Sequence, residues 1–345
     1  MGDRVNPGRR SQGRMADLLF ETDTNQIPVG TRSGMLEMRD GKKLRYAVTQ
    51  AAGRPLQGTV LLLHGRNECI EKYFETIADL AGRGFTTVCF DWRGQGGSSR
   101  MVRDAMRGHV DRFDDYVSDL DQLFRDLVLP DCPPPFYILA HSAGGLVSLL
   151  AAPMLANRVR RMVLVAPLLG LPRSPAAIRC IRFVTRTLSL VGLGRRYAVN
   201  GRYQAGGRPF AGNLLTSDPA RYMRNAEILR NQPQLGLGGP TVRWVSAALR
   251  AIDRVHDPDF IAGITIPTLI VAAGADSVVS TPAIERFATR FRNGVLLTID
   301  GARHEILQEA DFYREQLLAA FDAFIPGSQE PALTAAIEPA ESVQL

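Results

Sequence analysis

Phe136-Tyr137-Ile138-Leu139-Ala140-His141-Ser142-Ala143-Gly144-Gly145, residues 136–145, is the stretch on which the fold turns. Its first four residues read as a short buried strand, and a helical pattern over 144–154 begins at once. Ser142 therefore sits on a tight strand-to-helix turn, which needs small neighbours two residues away on each side. Gly144 is one. Ala140 stands where the common Gly-x-Ser-x-Gly pattern has its first glycine, a small variant. The helix start sets backbone N–H groups and a positive dipole end beside the serine oxygen. A Gly-rich turn with an incidental serine has the same local appearance, so the rest of the chain must decide.

Outward from this turn, β-type apolar runs alternate with helical ones. Residues 35–38 and 44–48 flank the hairpin signal Asp40-Gly41. The spacing predicts strands over 59–63, 86–90, 136–139, 161–165, 268–272 and 295–299. It predicts helices over 70–81, 111–128, 144–154, 282–291 and 310–324. Such alternation implies an α/β chain with a mainly parallel, doubly wound sheet and chemistry at the carboxyl ends of its strands. Residues 167–266 break the rhythm with helical, Arg-rich sequence and read as an inserted helical cap. The core is then 17–166 and 267–325. Residues 1–16 and 326–345 are polar, lack periodicity and read as disordered.

With 345 residues, 45% apolar and 22% charged, the chain can bury one substantial core. Four cysteines without metal-type spacing point to a reducing compartment and away from a disulfide framework or a metal site. Neither a signal peptide nor a membrane-length apolar run is expected. The expected location is cytoplasmic, free or peripheral on the cytoplasmic face of a membrane. The formal charge of +6 is concentrated: residues 171–250 hold thirteen Arg against Asp218 and Glu227, a local +11 that leaves −5 elsewhere. No nucleic-acid recognition motif accompanies that charge, so a nucleic-acid partner is not expected.

A serine hydroxyl becomes a competent nucleophile only when a base takes its proton. Of five histidines, His304 alone follows a predicted strand through a short loop, Asp300-Gly301-Ala302-Arg303, at the correct sheet edge. The acid should lie between serine and histidine in chain order. Asp276 fits, at the end of Gly274-Ala275-Asp276 after the strand over 268–272; its role is to orient the imidazole. The developing oxyanion needs N–H donors, for which Ala143 and the loop residue Arg66, after the strand over 59–63, are the candidates. No cofactor is called for.

Taken together, His64-Gly65, Asp91-Trp92-Arg93-Gly94-Gln95-Gly96-Gly97-Ser98 and the Ser142 turn resemble the monoglyceride lipase and lysophospholipase branch of the α/β-hydrolase superfamily. The stretches Gly108-His109-Val110-Asp111-Arg112-Phe113, Gly238-Gly239-Pro240-Thr241 and His304-Glu305-Ile306-Leu307 are most similar to bacterial lysophospholipases. The resemblance spans roughly residues 30–325. It implies the α/β-hydrolase fold and hydrolysis of a glycerolipid carboxylic ester through an acyl-enzyme. A lysophospholipase is the first reading, with a monoacylglycerol lipase or general carboxylesterase as the alternative. A non-catalytic ligand-binding protein on the same fold is a third reading, which an intact Ser, Asp and His in order argues against. Ala140 departs from the pattern, as does Arg66, a large cation in the oxyanion loop.

In the cap, residues 178–191 segregate at the helical period. Arg179, Arg182, Thr185, Arg186 and Ser189 share one arc, opposite Ile181, Val184, Leu188 and Val191. Such a helix suits an anionic membrane surface, or an acyl channel with arginines meeting substrate phosphate. Arg179, Arg182 and Arg186 are therefore candidate substrate-binding residues; a packed cap helix with a solvated basic face is the plain alternative.

Overall fold

The computed structural model describes residues 18–199, 201 and 209–325. The expected disordered ends, and Arg202 and Arg208 of the basic segment, lie outside the described residues. Strands β1 (Thr31–Glu37) and β2 (Lys43–Thr49) pair antiparallel as the hairpin expected around Asp40-Gly41. Gly41 takes the positive φ, 76°, that the turn requires. β3 (Gly58–Leu63), β4 (Phe85–Phe90), β5 (Phe136–His141), β6 (Val159–Val165), β7 (Thr268–Ala273) and β8 (Gly294–Ile299) run parallel to one another. One eight-stranded sheet results, in the order β1-β2-β4-β3-β5-β6-β7-β8. Every residue of β3, β4, β5 and β7 is buried, which is why these strands read as unbroken apolar runs.

Helices α1 (Phe74–Gly82), α2 (Phe113–Leu123), α3 (Leu129–Asp131) and α4 (Ala143–Leu155) alternate with the first parallel strands. Between β6 and β7 come α5 (Pro175–Leu190), α6 (Pro219–Asn231), α7 (Val242–Val255) and α8 (Pro258–Ala262). Then follow α9 (Thr281–Ala288) and α10 (Asp311–Phe324). Alternate side chains of β3 enter opposite cores. Leu61 and Leu63 join a cluster with Leu120, Leu146, Leu249 and Ile284, whereas Val60 and Leu62 join one with Ile77, Leu80, Leu317 and Phe321. Leu249 lies on α7, so this helix of the inserted segment shares the main core.

Three expected helices differ at their ends. The helix expected over 70–81 opens with a 3₁₀ turn, Ile70–Tyr73, before α1; no side chain caps it, and Ile70 N–H donates instead to Asp91 Oδ1 at 3.0 Å. The one expected over 111–128 begins at Phe113 and passes through a π-turn, Phe124–Val128, into α3. The one expected over 282–291 ends at Ala288, short of Phe291, which is still buried in the core. All four cysteines are free, and among the described residues no helix is long and apolar enough to cross a membrane.

Order in the strand crossings is set at β3. The chain moves from β3 outward to β4 on one side and to β5 on the other, so the loops after β3 and β5 diverge and leave a crevice between them. A buried ionic knot braces the adjoining β4 loop. Arg45, on β2, bonds Glu71 through both terminal nitrogens at 2.6 and 2.8 Å and Asp91 through Nε at 2.7 Å. Asp91 also accepts Gly97 N–H at 2.7 Å. A β-carbon on Gly96 would fall 2.1 Å from the Asp91 carboxylate, so this turn needs glycine there. Removing the cation would leave two buried carboxylates uncompensated. Arg45→Met is expected to lower the unfolding free energy by about 3–5 kcal/mol, read from urea denaturation; a change below about 1 kcal/mol would show that water or a neighbour replaces the guanidinium.

Candidate active site

β5 delivers Ser142 into a backbone conformation, φ 53° and ψ −114°, that L-residues rarely adopt. Close packing holds it there. Ser142 N–H donates to Val165 O at 3.0 Å, and Leu168 N–H donates to Ser142 O at 3.0 Å. A β-carbon at Gly144 would lie 2.3 Å from Leu63 O, so glycine is required where α4 crosses the end of β3. At Ala140 the methyl is fully buried and the strand keeps its register with Leu63 and Leu164. The smaller glycine is not needed here.

Ser142, His304 and Asp276 meet across 162 residues of chain. Ser142 Oγ lies 3.0 Å from His304 Nε2, and His304 Nδ1 lies 2.7 Å from Asp276 Oδ2. Asp276 Oδ1 accepts Val278 and Val279 N–H at 2.7 and 3.0 Å. Burial works to raise the Asp276 pKa, but the bond and charge of His304 and the two N–H donors outweigh it and hold the carboxyl below its usual range. The carboxylate stays ionised and fixes Nδ1 as the donor, leaving Nε2 to accept from the serine. This arrangement can carry nucleophilic acyl transfer.

Arg66 and Ala143 line the same cavity as Ser142. Among the described residues, no acceptor bonds either backbone N–H. Glu68 sets the loop that carries Arg66: its Oε2 accepts Gly65 N–H and the Tyr73 hydroxyl, and Lys72 Nζ pairs with Oε1 at 2.9 Å. Lys72 also pairs with Glu305 at 2.6 Å. His141 completes this cluster, 3.2 Å from Glu68 through Nδ1 and 3.1 Å from His304 O through Nε2. Both of its nitrogens face acceptors, which suits an imidazolium. Burial works to lower its pKa, yet the charge and hydrogen bond of Glu68 prevail and the net shift is upward. His141 thereby ties the backbone of the candidate base to the loop that carries Arg66.

Above Ser142 opens a cavity of about 600 Å³. Its far wall is apolar, drawn from Ile181 and Val184 of α5 and from Trp244, Leu249 and Ile252 of α7. The cap arginines are placed elsewhere. Arg179, Arg182 and Arg186 do not line the cavity; Arg182 instead forks onto Asp253 of α7, because the polar arc of α5 turns toward that helix. Thr185 on the same arc is the buried residue of α5, its hydroxyl donating to Ile181 O at 2.7 Å. Sequence reasoning missed Glu68, His141 and the α7 wall. The wall had a signal, the spacing of Val245, Ala248, Leu249 and Ile252; Glu68 showed only its i,i+4 partner Lys72, and the contact of Glu68 with His141 had none, since one lies in the loop after β3 and the other ends β5.

The geometry accords with what the chain is similar to. The family model described as serine aminopeptidase, S33, matches residues 54–311. Lysophospholipase L2 of Escherichia coli strain K12 is 35% identical over 289 residues, covering 79% of this chain and 82% of the relative. Mouse (Mus musculus) monoglyceride lipase is 25% identical over 278 residues, covering 78% and 82% respectively. Among solved structures, a soluble variant of Saccharomyces cerevisiae monoglyceride lipase with a substrate analog superposes with a TM-score of 0.69. Its sequence identity is 20%, covering 89% of this chain and 99% of that one.

Because the folded pKa of His141 lies above the usual value of about 6.5, its contribution to stability is fully present below that pH. The contribution is lost as pH rises through the folded value. The stability gap between the wild-type chain and His141→Gln, from urea denaturation at a series of pH values, is expected to shrink over that interval. A gap independent of pH between 5 and 9 (roughly the span of histidine titration) would mean His141 is neutral.

Proposed function

The chain belongs to the serine aminopeptidase S33 family of α/β-hydrolases, and we propose that it is a lysophospholipase acting through an acyl-serine at Ser142. The observation that carries the reading is the Ser142–His304–Asp276 hydrogen-bonded series at the floor of an apolar cavity large enough for an acyl chain. Similarity to Escherichia coli lysophospholipase L2 supports the choice of lipid ester.

In this reading Ser142 Oγ attacks the ester carbonyl while His304 Nε2 takes its proton. The oxyanion accepts the N–H groups of Arg66 and Ala143, each contributing about 2.7–4 kcal/mol at the transition state. Collapse breaks the acyl–oxygen bond, and His304 returns the proton to the departing glycerol oxygen. Water, deprotonated by His304, then attacks the acyl-serine, and the fatty acid leaves as Ser142 recovers its proton. Asp276 keeps the imidazole in the required tautomer throughout. A monoacylglycerol lipase is the second reading, favoured by the apolar wall and the mouse relative.

α5, which lines the cavity through Ile181 and Val184, leaves Phe183 and Leu190, and the following Val191, 73%, 79% and 64% exposed. We read this edge, with Arg179 and Arg186 on the same helix, as the contact with an anionic lipid surface. Arg182 is already paired with Asp253 and contributes little to it.

Three outcomes follow. Ser142→Ala abolishes both fluorophosphonate labelling and fatty-acid release; labelling that persists on the folded variant would exclude Ser142 as nucleophile. Asp276→Asn lowers kcat about ten-thousandfold with the fold intact, and near-normal turnover would assign the third role to another carboxylate. Co-sedimentation with phosphatidylglycerol vesicles weakens in Phe183→Ser/Leu190→Ser and at high salt but not in Arg182→Ala. Equal binding by all of these proteins would remove α5 from the interface.

A further inference from the structure

Arg66 is an unusual neighbour for an acyl-transfer centre. It follows Gly65, where a β-carbon would lie 3.1 Å from Ser142 Cβ, and it lines the same cavity without an acid within ion-pair distance among the described residues. The other charged groups of the lining are already matched. Glu68 is met by Lys72 and His141, Glu305 by Lys72, and His304 by Asp276. Among the described residues, Arg66 is left as the lining charge without an oppositely charged partner.

Its contacts hold the guanidinium in place without neutralising it. Nη2 donates to Gly238 O, the charge lies over the Trp244 ring at 5.6 Å, and Nε is shut off from solvent with no acceptor. Burial pushes its pKa down to about 10, so the group stays protonated at neutral pH at an energetic cost that an incoming anion would relieve. Two stretches remote in sequence make room for it. A β-carbon on Gly108 would lie 2.8 Å from Nη2, and Gly108 is joined to the Gly238-Gly239-Pro240-Thr241 turn by Thr241 N–H to Gly108 O at 2.9 Å. His109 Nδ1 meets Thr241 Oγ1 at 2.9 Å in the same junction. These motifs, with no part in the chemical step, meet around one guanidinium.

We propose that the Arg66 side chain is the receptor for the phosphate of a lysophospholipid headgroup, the specificity determinant that separates this substrate from a monoglyceride. The assignment rests on the lysophospholipase reading above and replaces the cap arginines in that role. One residue then grips the substrate twice. Its backbone N–H faces the ester oxygen, and its guanidinium reaches the phosphate one glycerol unit away, a separation comparable to an extended arginine side chain. With Nε closed off and Nη2 held by Gly238 O, Nη1 is the nitrogen left to meet a phosphate oxygen, and a neutral monoglyceride gains nothing from its charge.

The test compares kcat/KM of the full-length chain on lysophosphatidylglycerol and on monooleoylglycerol, for wild type, Arg66→Met and Arg66→Lys. The readout is the ratio of the two, so a general loss at the oxyanion loop cancels. The ratio is expected to fall about 30- to 100-fold in Arg66→Met, mainly through KM for the lysophospholipid, and about tenfold in Arg66→Lys, which keeps a charge but not the Gly238 and Trp244 contacts that place it. If the Met variant does not fold, by circular dichroism, the Lys variant carries the test. A ratio unchanged within threefold in the folded variants overturns the assignment and leaves the lysophospholipase reading standing. A wild type that prefers monooleoylglycerol overturns the reading itself. Inorganic phosphate that inhibits monooleoylglycerol hydrolysis in wild type but not in Arg66→Met, with no discrimination between the lipids, would make the site one for a free anion and overturn the headgroup assignment.

Discussion

The backbone at Ser142 has φ 53° and ψ −114°, and the surrounding architecture serves to keep it there. A residue in such a conformation costs on the order of 1–3 kcal/mol and persists only when its neighbours over-determine it. Here they do. The turn is tied to β6 through Val165 O, to the following loop through Leu168 N–H, and to β3 by the approach of Gly144 to Leu63 O. Three adjacent parallel strands must therefore be in register before the serine can be presented. That is the physical reason the nucleophile and the divergent loops of the sheet occur together.

Buried charge organises the rest of the site in layers. Furthest out, Arg45 binds Glu71 and Asp91 and fixes the loop after β4. Nearer in, Glu68, Lys72, His141 and Glu305 form a chain of alternating sign that joins the loop carrying Arg66 to the backbone of His304. Innermost is the Asp276 carboxylate, kept ionised by backbone donors as well as by His304. Buried ion pairs contribute little net stability compared with apolar packing, but each is costly to break singly. Their use here is geometric: they hold loops from different strands at distances that the chemistry can use.

The inserted segment supplies a wall and a window. α7 completes the core with Leu249 and Ile252 while turning part of the same apolar face to the cavity, so the cavity wall is an extension of the hydrophobic core. α5 sits across it with its outward edge unusually apolar. The basic character of the segment is thus divided. Arg182, Arg221 and Arg224 are bound in ion pairs with Asp253 and Glu75, and a local charge of +11 overstates what is available to a ligand.

Much of this was legible in the chain. The succession of strands and helices along the chain, the hairpin, the serine turn and the sequence Ser142, Asp276, His304 all follow from local signals: apolar period, turn residues and the position of each group just past a strand. Such signals survive without tertiary context because neighbouring residues fix them. The partners of the charged groups did not. Whether Arg182 faces a lipid phosphate or Asp253, and whether Arg66 meets an acid or an open cavity, depends on residues 71 and more than 170 positions away. The same holds for Glu68 and His141, brought together from 73 positions apart. A side chain's charge is written in the sequence, but what neutralises it is set by the folding of distant segments against it, and that pairing alone decides which cation is left for the substrate.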